Sequence, residues 1–190
     1  MAYPEVECVK IAMVRENLAR IPQFHLPDGY RCRTYRPGDE ELWAQIETSV
    51  AEFKDRNAAL SRFQEEFGPF LDEFGSRCHF IENPEDRCIG TATAWYNRSF
   101  RGKDHGRVHW VGIVPSYQGR KLAKPLLSRV MNRLAASHER AYLTTQTTSF
   151  KAIKIYLDFG FEPLITTENC PRAWRLMAEI LEHPRLQSYR

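Results

Sequence analysis

Two short runs of this 190-residue chain carry residue types and spacings that could do chemistry. The first is Val108-His109-Trp110-Val111-Gly112-Ile113-Val114-Pro115-Ser116-Tyr117-Gln118-Gly119-Arg120-Lys121-Leu122-Ala123-Lys124. An apolar strand stops at Pro115, a loop with Gly119 follows, and a helix opens among Arg120, Lys121 and Lys124. The first N–H groups of a helix have no intrahelical partner and its dipole favours negative charge there, so such a start is an anion site. Cations in a first turn oppose that dipole, and a phosphate-bearing ligand would remove the conflict. An ordinary strand–turn–helix unit with solvated basic residues fits the same letters. Gly112 interrupts the strand, which marks a bulge, a close approach by a ligand, or relief of packing against a bulky neighbour. A long ligand with its phosphate end at residues 118–124 and a thin arm along the strand would use both features. The second run is residues 149–161, where Ala152, Tyr156 and Gly160 recur every four residues on one helical face. A small residue beside a tyrosine suits ligand contact, or simply a core tyrosine with a satisfied hydroxyl.

The elements that must position these runs follow from periodicity and turn signals. Residues 1–28 read as an N-terminal extension with an edge strand over 8–14, ended by Ile21-Pro22 and Leu26-Pro27-Asp28-Gly29. A strand over 30–35 leads through Arg36-Pro37-Gly38-Asp39 into a helix with an acidic first turn, expected over 39–54. Leu60, Phe63, Phe67, Phe70, Leu71 and Phe74 recur at helical spacing and predict a second helix whose aromatic stripe belongs in the core. Strands are expected over 78–82, 88–95 and 107–114, with 97–106 a polar connector. A helix over 120–137, a strand over 141–147, a helix over 149–159 stopped by Gly160, a strand over 161–166 and a helix over 172–182 complete the chain. That order predicts an α/β fold, a mixed central sheet with helices on both faces.

Composition narrows the function classes. Lys and Arg number 27 against 24 Asp and Glu, an excess too small and scattered for a nucleic-acid partner. The five cysteines are odd in number and form no Cys-x-x-Cys pair, so free thiols are expected rather than zinc or a disulfide framework. No apolar run reaches the length of about 18 residues that a membrane span needs, and the first thirty residues lack a signal-peptide core. A cytoplasmic protein without a metal, a membrane or a nucleic-acid partner is the expectation.

Taken in order, the two runs resemble the GCN5-related N-acetyltransferase superfamily. Its acyl-CoA motif, Gln/Arg-x-x-Gly-x-Gly/Ala, is matched by Gln118 and Ala123, with Lys121 where the family has glycine. Its later Asn-x-x-Ala-x-x-x-Tyr-x-x-x-Gly-Phe pattern is matched by Ala152, Tyr156, Gly160 and Phe161, with Ser149 in place of Asn. The resemblance spans residues 30–166 and divides the chain into an extension (1–28), an acyltransferase domain (29–166) and a C-terminal helical segment (167–190). It implies splayed central strands, with acetyl-CoA between 108–114 and 141–147. Its pantetheine would lie along the backbone of Gly112, Ile113 and Val114. Its pyrophosphate would meet the amides of Gly119, Arg120, Lys121, Leu122 and Ala123, with Gln118, Lys124 and Ser149 also at the cofactor. It implies direct attack by a primary amine of a small molecule or peptide, in a ternary complex, with Tyr156 protonating the departing thiolate. For the base, His109 is the candidate because it titrates near neutrality and sits on the central strand, with Glu82, Asp104 and His105 as alternatives. The Lys121 and Ser149 departures also suit a non-catalytic acyl-CoA-binding module. Trp43, Phe53 and Trp95 are candidates for an acceptor pocket or for packing, and the helix around Trp174 either covers the sheet or mediates a homodimer.

Overall fold

Seven strands form one sheet in the order β2-β3-β4-β5-β6-β1-β7; the computed structural model describes residues 6–190. In chain order these are β1 (Lys10–Arg15), β2 (Arg31–Thr34), β3 (Cys78–Glu82), β4 (Cys88–Phe100), β5 (Lys103–Ile113), β6 (Ala141–Gln146) and β7 (Glu162–Leu164). The helices are α1 (Glu40–Ser49), α2 (Arg56–Phe67), α3 (Leu71–Arg77), α4 (Ala123–Ala135), α5 (Phe150–Asp158) and α6 (Cys170–Leu181). Every strand pairing is antiparallel except β5 with β6.

That one parallel pairing governs the site. It consists of Gly106↔Ala141 and Arg107↔Tyr142 and goes no further. Beyond Arg107 the strands diverge. The cause lies in β5, where Trp110 and Val111 together oppose Ala92 between the pairs Thr91↔Gly112 and Thr93↔His109. Trp110 takes a φ of 47° in this bulge, a left-handed conformation that a bulky residue adopts only when its surroundings enforce it.

The two sheet faces carry separate cores. On one, α4, α5 and α6 bury Leu126, Val130, Met131, Leu134, Leu157 and Trp174. On the other, α1, α2 and α3 bury Trp43, Phe63, Phe67 and Phe74 against Phe80 and Trp95. The aromatic rings of this second core meet mostly edge to face, as Trp43 with Phe63 and Phe63 with Phe74.

Several expectations are corrected. The strand near the start is not at an edge: β1 lies inside the sheet between β6 and β7, so the stretch 1–28 contributes an interior strand. Residues 1–5 of that stretch lie outside the described residues. The polar connector 97–106 is instead the tip of the β4–β5 hairpin. Arg101 and Gly102 take φ of 52° and 74°, the two positive values of a type I′ two-residue turn. The aromatic stripe is split. A short 3-10 turn over Gly68–Phe70 separates α2 from α3, because Pro69 can donate no hydrogen bond to a continuous helix. The first helix ends at Ser49 rather than near Lys54, where Ala51 turns left-handed at a φ of 64°. The C-terminal helix buries Ala173, Trp174, Met177 and Ala178, so its apolar face is used within the chain.

Candidate active site

The divergence of β5 and β6 opens a cavity of about 940 Å³. Val108, His109, Trp110 and Val111 wall it from β5, and residues 143–146 wall it from β6. From α5 and the turn before it come Ser149, Ala152 and Tyr156, which share one helical face. The end of α1 and the turn after it add Glu47 and Glu52, α2 adds Arg62, Glu65 and Glu66, and the hairpin adds Phe100.

Tyr156 is 8% exposed, with its ring 6.2 Å from that of Phe161. Burial first, then the charges of Glu47 and Glu52, raise its hydroxyl pKa well above the usual tyrosine value. It therefore keeps its proton throughout the neutral range and faces the cavity as a donor.

His109 is held differently from the expectation. Its Nε2 lies 2.6 Å from Glu66 Oε1, and Trp110 Nε1 donates to Glu66 Oε2 at 3.1 Å. Burial lowers the His109 pKa to about 4 against the opposing effect of its hydrogen bond to Glu66. Burial alone would raise Glu66, but the His109 hydrogen bond, Trp110 and Arg107 outweigh it and hold that carboxyl below its usual value. A neutral imidazole beside an acceptor-only carboxylate must present Nε2–H as the donor. Glu66 thus clamps both residues at the bulge, and a histidine held neutral this firmly has little drive to take a proton from an ammonium group. The alternatives do not line the cavity: Glu82 pairs with Arg33 at 2.7 Å, Asp104 with His138 at 2.7 Å, and His105 Nδ1 meets the Lys103 carbonyl at 3.2 Å.

Glu47 carries no motif, and sequence reading passed it over. Its side chain is fully buried and lines the cavity, and neither carboxyl oxygen has a hydrogen-bond partner among the described residues. A Cβ on Gly112 would come within 3.1 Å of Glu47 Oε1 and 3.2 Å of Ile46 Cγ2. Gly112 therefore lets α1 approach β5, and through its pair with Thr91 it also borders the bulge. Burial, with Glu52 adding, raises the Glu47 pKa well above the usual glutamate value of 4.5. The folded chain then holds a proton that the unfolded chain has released, so stability is expected to fall as pH rises from 4.5 towards the raised value. Glu47→Gln should flatten this decline in urea unfolding followed across pH. An unchanged slope would mean that Glu47 ionises normally.

The basic loop lies beyond the cavity lining, between β5 and α4. Gly119 and Lys121 take φ of 78° and 62°, and Leu122 follows at φ −85° as the residue before α4, with no side-chain cap on the helix. Alternating backbone hands turn successive N–H groups towards one side, a geometry that suits an anion. Lys121 therefore keeps the left-handed conformation of the glycine it replaces, at a cost of about 1–2 kcal/mol. Gln118 Nε2 donates back to the Ile113 carbonyl at 3.0 Å and braces the loop. Val114 N donates to Ile89 O at 2.9 Å. Leu122 is buried while Ala123 is half-buried. The three cations differ. Arg120 reaches Tyr30 and Ser116 at 3.3 Å each and lies over the Tyr117 ring. Lys124 pairs with Asp158 at 2.9 Å, a carboxylate that Lys154 also approaches at 3.6 Å. Lys121 makes no ion pair among the described residues.

Of the two readings for Trp43, Phe53 and Trp95, packing is the one seen. Trp43 and Trp95 belong to the second core, and Phe53 packs between Trp43 and Trp110 at 5.8 and 5.1 Å. Trp110 and Phe100 form the aromatic wall instead. Among the described residues no group of three or more His, Cys, Asp or Glu side chains is arranged to hold a metal ion, and no helix is long and apolar enough to cross a membrane.

Comparison with known proteins bears on this geometry. The model of the acetyltransferase (GNAT) family matches residues 40–161. A mycothiol acetyltransferase of Saccharomonospora viridis is 31% identical over 157 residues, covering 76% of this chain and 50% of that protein. One from Thermobispora bispora is 26% identical, covering 78% and 52%. The chain thus spans about half the length of these curated relatives. Among solved structures, a GCN5-related N-acetyltransferase from Sphaerobacter thermophilus superposes with a TM-score of 0.65 at 19% identity, over 82% of this chain and 48% of that one. Arabidopsis thaliana Naa50, in complex with the bisubstrate analogue CoA-Ac-MVNAL, gives 0.58 at 20% identity, over 74% and 88%. At these identities the structural likeness is one of fold.

Proposed function

The chain belongs to the acetyltransferase (GNAT) family, and from that premise we propose that it transfers an acetyl group from acetyl-CoA to a primary amine of a small molecule or peptide. The observation that carries this reading is the divergence of β5 from β6 after Arg107, which frees strand N–H and C=O groups along a cavity that Tyr156 enters. Unpaired strand amides are the groups that bind an extended amide-rich chain, and they also stabilise negative charge on a carbonyl oxygen. The loop from Gly119 to Ala123 supplies backbone donors for a pyrophosphate, and Ser149 stands at the start of α5 beside the same cavity. In the reaction the amine nitrogen bonds to the thioester carbon and the C–S bond breaks. Tyr156 donates its proton to the sulfur that leaves. The five free cysteines suit a reducing, cytoplasmic setting.

The test is release of free CoA from acetyl-CoA with a panel of tyramine, spermidine, glucosamine and a short peptide with a free N-terminus. Amine-dependent release supports transfer. Acetyl-CoA binding without release for any member would favour a non-catalytic acyl-CoA-binding module, the second reading that Lys121 and Ser149 invite.

The unequal engagement of the cations gives a sharper expectation for the loop. Removing both Arg120 and Lys121 as alanines should weaken acetyl-CoA about tenfold, or ~1.4 kcal/mol, and reduce the salt dependence of binding. Lys124→Ala should leave affinity nearly unchanged, since Asp158 already holds that ammonium. Isothermal calorimetry with CoA and dephospho-CoA reads both effects. Equal losses from all three alanines would contradict this division.

A further inference from the structure

We infer that Glu47 is the proton acceptor of the transfer reaction, taking the proton of an ammonium acceptor that enters the cavity between β5 and β6. The inference rests on the acetyl-transfer reading and assigns the residue that reading leaves open.

A glutamate is rarely buried without a partner, because an unpaired carboxyl deep in a protein loses its hydration and gains nothing in return. Glu47 is fully buried, with both oxygens unpartnered among the described residues. Its neighbours on α1 give it no structural purpose. Trp43, Ile46 and Val50 stand at i−4, i−1 and i+3 and make the apolar stripe that packs α1 down, so a leucine would suit position 47 better. The carboxyl instead lines the cavity. Its Oε1 lies against the backbone of Gly112, where a Cβ would approach it to 3.1 Å. That is the divergent part of β5, two residues past Trp110 in the bulge.

The titratable groups coupled to it are known. Glu52, in the turn after α1, raises its proton affinity. Cys78 of β3 and Tyr156 of α5 each feel the charge of Glu47. Cys78 is fully buried, and burial pushes its thiol up to about 12, so it stays neutral. On β5 its Oε1 faces Gly112, which brings no charge. Among the described residues no basic side chain is hydrogen-bonded to Glu47. An ammonium group that enters the cavity beside this carboxyl favours its ionised form, so the proton that Glu47 holds in the free chain passes to solvent before the transfer.

The step then balances. The ammonium gives one proton to the Glu47 carboxylate, and the nitrogen lone pair so freed bonds to the thioester carbon. The C–S bond breaks, and the sulfur takes the Tyr156 hydroxyl proton. The new amide nitrogen returns its surplus proton to the Tyr156 oxygen. Glu47 is then protonated as in the free chain, and the one proton produced per turnover is the one it gave up when the ammonium entered. The two groups assist each other: once protonated, Glu47 no longer carries the charge that opposes loss of the Tyr156 proton. Burial keeps His109 neutral despite its hydrogen bond to Glu66, which leaves it less drive to take this proton.

The test compares wild type, Glu47→Gln and the control Asp104→Asn, using acetyl-CoA and whichever amine among tyramine, spermidine, glucosamine and the short peptide is turned over fastest. Glutamine keeps the shape and should fold at least as stably, since it buries no ionisable group. Near neutral pH, kcat of Glu47→Gln should fall about 10²-fold, with the calorimetric Kd for acetyl-CoA unchanged. The deficit should shrink as pH climbs towards about 10, where an alkylamine arrives already deprotonated. A merely structural role would not produce that convergence. Asp104→Asn, whose carboxylate pairs with His138 outside the cavity lining, should keep the kcat and the pH profile shape of wild type. If Glu47→Gln retains wild-type kcat near neutral pH, or its deficit is the same at every pH, Glu47 is not the acceptor while acetyl transfer still stands. If wild type binds acetyl-CoA but turns over no amine in the panel, the acetyl-transfer reading fails and the Glu47 assignment fails with it.

Discussion

Tyr156→Phe is expected to lower kcat about 10²-fold, equivalent to ~2.7 kcal/mol of transition-state stabilisation, while leaving acetyl-CoA affinity almost unchanged. The substitution removes one oxygen and keeps the ring, so the packing against Phe161 persists. The hydroxyl is shifted by burial and by the Glu47 and Glu52 charges, with no hydrogen bond contributing, so its removal should not lower the melting temperature. The loss falls on chemistry because a thiolate leaving without a proton donor is left charged in a half-enclosed cavity. The profile of kcat against pH should show no basic limb from Tyr156, whose proton is held past the ordinary tyrosine range. Steady-state kinetics with acetyl-CoA and a saturating amine, alongside thermal melts, checks each part. A kcat within about threefold of wild type would remove Tyr156 from the proton-donor role assigned by general acid catalysis.

Trp174→Ala is expected to destabilise the fold by about 3–4 kcal/mol, the lower part of the range for truncating a buried tryptophan. Trp174 is fully buried in the core shared by α4, α5 and α6, and its ring lies 6.3 Å from that of Tyr189. The indole Nε1 has no partner among the described residues, so its removal recovers some desolvation and tempers the loss. For a domain whose whole stability is on the order of 5–15 kcal/mol, this is a large fraction. Activity should suffer as well, because Thr166 and Thr167, immediately before α6, line the cavity. Urea unfolding gives the free energy, and Trp174→Phe should recover more than half of it. A loss below about 1 kcal/mol, the level of ordinary surface substitutions, would mean that α6 is an appendage rather than a wall of the core.

The segments that carry strong local punctuation were legible from the residues. Pro115 stops β5, Gly160 stops α5, and the apolar stripe from Leu126 to Leu134 marks α4, so strand, loop, helix, strand and helix all fall near their expected positions. What the residues do not encode locally was missed for identifiable reasons. β1 reads as an edge because Lys10 to Arg15 carries charges at both ends, and its two neighbours lie more than 120 residues away in sequence. The hairpin tip reads as a connector because Arg101 fills a left-handed position usually given to Asn, Asp or Gly. The bulge depends on Glu66, which clamps His109 and Trp110 from a helix more than forty residues earlier. Glu47 did leave a trace: with Trp43, Ile46 and Val50 it falls on the apolar stripe of α1 at helical spacing. A carboxylate on such a stripe is a departure from binary patterning, and departures of that kind concentrate at functional sites.

The most direct test of the central claim, that the divergent strands and the basic loop receive acetyl-CoA, is a calorimetric titration of the wild-type chain with acetyl-CoA and with dephospho-CoA. Saturable one-to-one binding in the micromolar range, weaker for dephospho-CoA, is the expected result. An absence of binding even at millimolar acetyl-CoA would contradict it and leave the chain with the family's fold but without its acyl donor.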